Sequence, residues 1–331
     1  MSLKMNEAPY QRSPRTTLHI MLELCAALLL VWVAAIIYNF TLDVEFGVRA
    51  ILMMVIALFT TALVDAGVAL IKHKKGGNLL KEVKDSVIKN YSYVTAIIFT
   101  LCLPVYVSYY IVIIGAIFAT GIKHCFGGFG KNIFNPALGA RAFLLACWPV
   151  AMTKWTAPAF TLKPVVDAVS TATPLGALKE SGEVIASNMD LFLGNVGGCI
   201  GEVSALAILI GFVYLLVRKV ITPTIPLIYI GVVFVLAWAT GYDPVFFILS
   251  GGLMLGAVFM ATDYVTSPMS WMGHIVYAVL LGVLTFVIRV YGKLPEGVSY
   301  SILIMNVVTP LIDKYTKPTR YGAKGGKKNE K

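Results

Sequence analysis

Residues 18–38 read LHIMLELCAALLLVWVAAIIY: one carboxylate, one imidazole and no Lys or Arg in twenty-one residues. As a helix the stretch is about 31 Å long at 1.5 Å per residue, matching a hydrocarbon layer of about 30 Å. Its reading as a membrane-crossing helix decides the fold, because the same kind of run recurs along the chain. Apolar runs lie at Leu18–Tyr38, Val48–Ile71, Tyr91–Leu103, Val105–Ile122 and Ile133–Val150. After a polar, Pro-containing interval they resume at Gly201–Val217, Ile225–Thr240, Val245–Ala261, Trp271–Arg289 and Val298–Leu311. The pattern predicts an all-α polytopic membrane protein of about ten transmembrane helices in two five-helix halves. The third run is short and stops at Pro104, as a broken helix would.

Composition agrees. Of 331 residues 58% are hydrophobic and only 13% charged, against about 25% charged in soluble domains. The net charge of +10 does not point to nucleic acid, because the basic residues sit in short runs between apolar stretches. With the N-terminus in the cytoplasm, twenty Lys and Arg fall on the inside and six on the outside, with Arg141 within a span. That bias predicts both termini inside, and places the long polar interval outside. The chain then divides into a cytoplasmic tail (1–17), a first five-helix half (18–150), an extracytoplasmic loop (151–198), a second half (199–313) and a basic cytoplasmic tail (314–331). The five cysteines form no CxxC pair and read as small packing residues rather than a disulfide or metal framework. No removable signal peptide is expected from the polar first residues.

The outside loop contains Asp167-Ala-Val-Ser170-Thr-Ala172-Thr173-Pro174. Thr followed by Pro is a helix start, with Thr173 as N-cap and Pro174 in the first turn; the helix LGALKES then ends near Gly182. A helix N-terminus favours a phosphate through its free N–H groups and dipole, so a phosphoester on Thr173 would sit well there. A second polar stretch, GGFGKNIFNPA at 127–137, combines three glycines with Asn135-Pro136. It predicts non-helical backbone followed by a capped helix, which survives near a membrane only against protein or a cavity.

The first stretch resembles the Asp-x-x-Ser/Thr-x-Ala-Thr acceptor motif of bacterial flavin transferases, which join the phosphate of FMN to the final Thr hydroxyl. The match falls on Asp167, Ser170, Ala172 and Thr173. Gly127–Ala137 and Met260-Ala-Thr-Asp263 with Ser267-Pro268 are similar to signatures of one membrane family, the NqrB/RnfD family. Its members belong to the Rnf ion-translocating ferredoxin:NAD oxidoreductase and to the related sodium-pumping NADH:quinone reductase. Tyr264 stands where the family usually has Pro. Chain length and the lack of a large N-terminal extension favour the Rnf side. The resemblance implies a multi-pass subunit of the bacterial cytoplasmic (inner) membrane with covalent FMN on Thr173. It also implies a second, non-covalent riboflavin among the helices. The implied partners are further Rnf subunits, including a second FMN-bearing subunit and iron–sulfur subunits, the flavin transferase, and the lipid bilayer.

Asn132, Asn135, Arg141 and Asp263 are the candidate residues of the second flavin pocket. Asn132, Asn135 and Asp263 lie in inside-facing connections that combine polar groups with helix breaks; Arg141 lies two turns into the fifth span, and an intramembrane Arg is a functional candidate by default. A flavin, a lipid head group or Asp263 is the expected partner of Arg141. Glu23, Asp65, Glu202 and His274 are the other ionisable residues within or beside spans, and for Glu23 and Asp65 pairing near a helix end competes with contact to a coupled ion. The competing function is a ten-span secondary transporter or channel without a redox cofactor, to which two five-span groups and a broken helix are also suited.

Overall fold

The computed structural model describes residues 15–73, 78–155, 173–181, 187–194, 196–202, 204–292 and 297–316, and helix is the only regular structure among them. The first part comprises α1 (Thr17–Leu42), α2 (Val44–Lys72), α3 (Leu79–Lys89), α4 (Ser92–Leu101), α5 (Tyr109–Cys125), α6 (Pro136–Cys147) and the single turn α7 (Pro149–Met152). Two short helices follow, α8 (Pro174–Ser181) and α9 (Asn188–Leu193). The rest comprises α10 (Ala205–Val217), α11 (Thr224–Ala239), α12 (Pro244–Leu249), α13 (Leu253–Leu255), a π-helical turn at Gly256–Met260, α14 (Trp271–Tyr291) and α15 (Val298–Thr316).

By length and composition α1, α2 and α14 are long and apolar enough to cross a membrane; α4, α5, α6, α10 and α11 are shorter apolar helices. The Leu18–Tyr38 run extends to Leu42, because only Asp43 separates α1 from α2 and its carboxylate caps α2 through the Glu45 N–H at 3.2 Å. α1 packs on α2 and α10, α2 on α4 and α5, and α11 on α14. The α11–α14 approach is close: a Cβ on Gly282 would come within 2.6 Å of Val232 Cγ1. Outward faces stay apolar, as at Ile37, Phe59 and Val213, which suits a hydrocarbon solvent.

Four expected spans are corrected. Val245–Ala261 is not one helix: it stops at Leu249, and Gly251 takes a left-handed φ of 62°. A Cβ at Gly251 would meet Leu175 Cδ1 at 3.0 Å and Arg289 Nη2 at 3.1 Å, so only glycine suits this break. The freed carbonyls are met by Arg289, which donates to Phe247 O at 2.6 Å and to Ser250 O at 3.0 Å. Ile133–Val150 shortens to Pro136–Cys147, since the Asn135 side chain caps the helix through the Ala137 N–H at 3.1 Å. In Gly201–Val217 a 3-10 turn at Ile200–Glu202 comes first, and the α-helix starts only at Ala205, after the Ser204 cap. Tyr91–Leu103 shortens to Ser92–Leu101, a helix buried at every residue except Tyr93. One helix, α3, was not anticipated: its apolar and basic residues segregate to two faces, and none is buried.

The broken ends meet inside the bundle. Leu103 O accepts from Ile200 N–H at 3.0 Å, joining the segment after α4 to the one before α10. Cys102, Leu103, Val105 and Val107 are buried, as are Val196, Cys199 and Ile200. Irregular backbone among apolar helices needs such cover.

Contacts also sort the connections into two ends. At one, called here the Glu23 end, Arg218 pairs with Glu23 and Thr309 donates to Thr266 O at 3.0 Å. At the other, the Thr173 end, Arg49 donates to Tyr106 O and Val107 O, and Asn188 to Asp243.

Candidate functional site

Thr173 caps α8 as expected from the sequence. Its hydroxyl accepts the Gly176 N–H at 3.0 Å, its carbonyl accepts the Ala177 N–H at 2.8 Å, and Pro174 occupies the first turn. Thr173 is buried. α8 lies against the break after α12, where Leu175 reaches Gly251, and Lys179 donates to Gly292 O at 2.8 Å. In that break Ser250 Oγ and Arg289 Nε are buried with no hydrogen-bond partner among the described residues. Nearby, Asp243 caps α12 and accepts from Asn188 at 2.9 Å, which holds its carboxyl below the usual range despite partial desolvation. Asp167, Ser170 and Ala172 lie outside the described residues.

At the Glu23 end a crevice brings together Asn132, Asn135 and Asp263 with Tyr91, Lys123 and Phe129. Gly127, Gly128 and Gly130 all have left-handed φ values, 103°, 94° and 85°, so the glycine-rich turn forms as its sequence demands. It carries Phe129 against Tyr91, ring centroids 4.7 Å apart, and beneath the Lys123 ammonium at 5.7 Å. Lys123 Nζ donates to Thr95 Oγ1 at 3.4 Å. Asn132 Oδ1 is buried without a partner among the described residues. The Asn135 N–H faces the Asn306 amide oxygen at 3.1 Å once that amide is turned so that its nitrogen donates to Tyr277. Asp263 accepts from Val265 N–H at 3.3 Å and Thr266 Oγ1 at 3.2 Å; desolvation pushes its carboxyl up, against those bonds. The crevice is narrow: its volume is about 60 Å³, room for roughly four waters.

Arg141 is not in this crevice, and it turns to residues other than Asp263. The correction has a simple cause: Asn135-Pro136 starts α6 at the crevice, and Arg141 lies one and a half turns deeper. Its guanidinium donates to Ser299 Oγ at 3.2 Å and Cys199 Sγ at 3.3 Å, and lies 3.9 Å from Glu202 Oε1. Glu202 packs closely on Gly252: a Cβ there would meet Glu202 Oε1 at 2.6 Å, and the carboxylate would have to shift. Glu23 is paired near a helix end, with Arg218 and Arg15. Asp65 is paired with His124. His274 faces Pro268 O at 2.8 Å. The sequence reading missed Tyr91, Thr95 and Lys123. A Lys that directly follows the apolar run of α5 was the available signal, and it was read only as a topology marker.

Residues 4–322 match the NQR2, RnfD, RnfE family. The D-type component of the Na(+)-translocating ferredoxin:NAD(+) oxidoreductase complex of Acetobacterium woodii is 42% identical, over 100% of this chain and 99% of that protein. The D-type component of the proton-translocating ferredoxin:NAD(+) oxidoreductase complex of Clostridium ljungdahlii is 39% identical, over 97% and 96%. Its counterpart in an ion-translocating oxidoreductase complex of Vibrio cholerae is 32% identical, over 97% and 100%. With a match across nearly its whole length, this chain belongs to the NQR2, RnfD, RnfE family.

Proposed function

We propose that this chain is a membrane subunit of a multi-subunit ion-translocating ferredoxin:NAD oxidoreductase, and that it carries electrons through an FMN esterified to Thr173. The observation that carries the cofactor reading is the position of Thr173 at the N-cap of α8. A phosphate on its oxygen would meet the free N–H groups of the first turn and the positive end of the helix dipole. Ser250 Oγ and Arg289 Nε, buried and without hydrogen-bond partners among the described residues, lie in the break that α8 covers, so the surroundings suit an anion. When bound, the flavin supplies one- and two-electron exchange, and the protein supplies position and electrostatics. Flavin fluorescence retained by the chain on a denaturing gel tests this reading. A chain without it would favour a transporter or channel, the reading that the broken helices α4 and α12 also suit.

The crevice suits the edge of a second, non-covalent flavin. Asn132 Oδ1 is an unused acceptor, Lys123 a donor, and Tyr91 and Phe129 offer apolar faces. Asp263→Ala and Asn135→Ala are each expected to lower the acid-extractable flavin of the purified complex while covalent flavin remains. Unchanged extractable flavin in both variants would assign these residues to packing. Losing the Asn135 cap costs about 1 kcal/mol, too little to explain loss of flavin by unfolding.

The proposed orientation has both termini in the cytoplasm and the Thr173 end outside, in a bacterial inner membrane. Its support is the Lys and Arg bias, together with the grouping of the proposed inside connections at the Glu23 end. In intact cells, a cysteine at Ser187 should react with an impermeant maleimide and one at Lys328 should not. The reverse pattern would invert the topology. The partners in this reading are the other Rnf subunits, with iron–sulfur and flavin centres, and the flavin transferase that modifies Thr173.

A further inference from the structure

Behind the crevice lies a buried acid–base pair that none of the roles above uses. Asp65, on α2, is 1% exposed. Its Oδ1 lies 2.6 Å from His124 Nε2, and Asn90 Nδ2 reaches the same oxygen at 3.5 Å. Ser86 Oγ donates to the Asp65 carbonyl at 3.1 Å, tying the end of α3 to α2. Asp65 Oδ2 is buried with no hydrogen-bond partner among the described residues. A buried carboxylate with a vacant oxygen is costly unless it can share a proton or a cation.

The pair lies between two openings. His124 lines a solvent-facing cleft of about 340 Å³, together with Lys72, Glu82, Asp85, Lys89 and Gly128. The preceding residue of α5, Lys123, lines the crevice instead. The Lys123 ammonium interacts electrostatically with both the Asp65 and the Asp263 carboxylates. The charged groups on the elements around Asp65 can be named one by one. α3 offers Lys81 and Lys84, both exposed, Glu82, held by His73 at 2.8 Å, and Asp85, held by Lys89 at 2.8 Å. α5 offers Lys123 and His124, and α2 itself Lys72. α4 carries no charged residue, and the one carboxylate of α1, Glu23, is engaged by Arg218. His124 and Lys123 are therefore the groups with which Asp65 can exchange charge.

We propose that Asp65 and His124 form a proton-exchange site that takes protons from the cleft and delivers them, through Lys123, to the occupant of the crevice. The proposal rests on the flavin reading of that crevice. Lys123 gives one proton from its ammonium to a ring nitrogen that gains a proton on reduction. The electrons are those of the ferredoxin or NADH named for the relatives. His124 gives its Nε2 proton to Asp65 as Nδ1 takes one from a hydronium ion or buffer acid in the cleft, and a flip of the ring then returns a protonated nitrogen to Asp65. Asp65 then returns a proton to the Lys123 amine. One proton crosses per cycle, and the net charge of the three side chains is restored. Imidazole suits the outer position because its ordinary pKa lies within the physiological range, and a four-carbon arm suits the inner one, between two carboxylates.

The test uses the purified complex with wild-type chain, Asp65→Asn, His124→Gln and the conservative Asp65→Glu. Two quantities are followed: infrared bands of protonated carboxyl and imidazole between about pH 5 and pH 8, and proton uptake after rapid chemical reduction, read with a pH indicator. Acid-extractable flavin is measured on the same samples, and gel filtration confirms assembly. The wild type should show a carboxyl band that titrates with an imidazole band and is lost in Asp65→Asn. Proton uptake should slow at least about tenfold in Asp65→Asn and His124→Gln, with flavin content unchanged and partial recovery in Asp65→Glu. Proton uptake at the wild-type rate in both variants, or no Asp65-dependent carboxyl band, would overturn the proposal. If the wild type yields no extractable flavin yet shows the Asp65-dependent bands, the flavin reading of the crevice fails and the exchange pair stands. If either variant fails to assemble, the wild-type bands and the other variant still decide.

Discussion

Thr173→Val should abolish covalent flavin fluorescence on a denaturing gel, and with it electron transfer through this subunit, while the complex still assembles. Val keeps the branched shape of Thr but removes the hydroxyl, the one atom that can form the phosphoester. The same change removes the N-cap bond to Gly176. That loss costs about 1 kcal/mol, far below the several kcal/mol needed to unfold a chain of this size. Thr173→Ser should keep the cap and some labelling, because the hydroxyl remains. Full fluorescence in Thr173→Val would move the flavin to another residue.

The largest stability effect is expected at Arg141. Arg141→Leu would leave Glu202 buried, with the weak 3.5 Å contact from the Cys199 N–H to its carboxylate in place of an ion pair. Breaking a buried ion pair from one side costs about 3–5 kcal/mol. The thermal unfolding midpoint of the purified complex should therefore fall clearly. Arg141→Leu combined with Glu202→Gln should recover part of the loss, since the stranded charge is then gone. A single variant as stable as the wild type would show that Glu202 is protonated in the folded chain, or that water reaches it. The site is unforgiving because the broken ends of α4 and α12 and the turn at Ile200–Glu202 meet there without a regular hydrogen-bond ladder.

The membrane class was legible because apolar runs need no knowledge of partners. Thr173 and Asn135 were legible as caps because capping is local: the residue, the following Pro and the next N–H groups lie within four positions. The breaks were harder. Gly251 and Gly252 follow Ser250, a local turn signal inside an otherwise apolar run, but what fixes the end of α12 is the guanidinium of Arg289, thirty-eight residues beyond Gly251, together with Leu175 packed above. Nothing in the run 245–261 signals either. Arg141 was misassigned for the same reason, since Cys199, Glu202 and Ser299 approach it from two distant segments. Lys123 and the Asp65–His124 pair, fifty-nine residues apart, became visible only when α2 and α5 were seen side by side. α3 is hard to read from sequence because it is short, rich in Lys and buries no residue, so it lacks the long apolar run that marks the other helices.

An FMN on Thr173 would be seen most directly by mass spectrometry of the proteolytic peptide containing Thr173, from cells with an active flavin transferase. That peptide should carry the added mass of an FMN residue, with fragment ions that place it on Thr173. An unmodified Thr173 peptide recovered in full from the active complex would contradict that assignment.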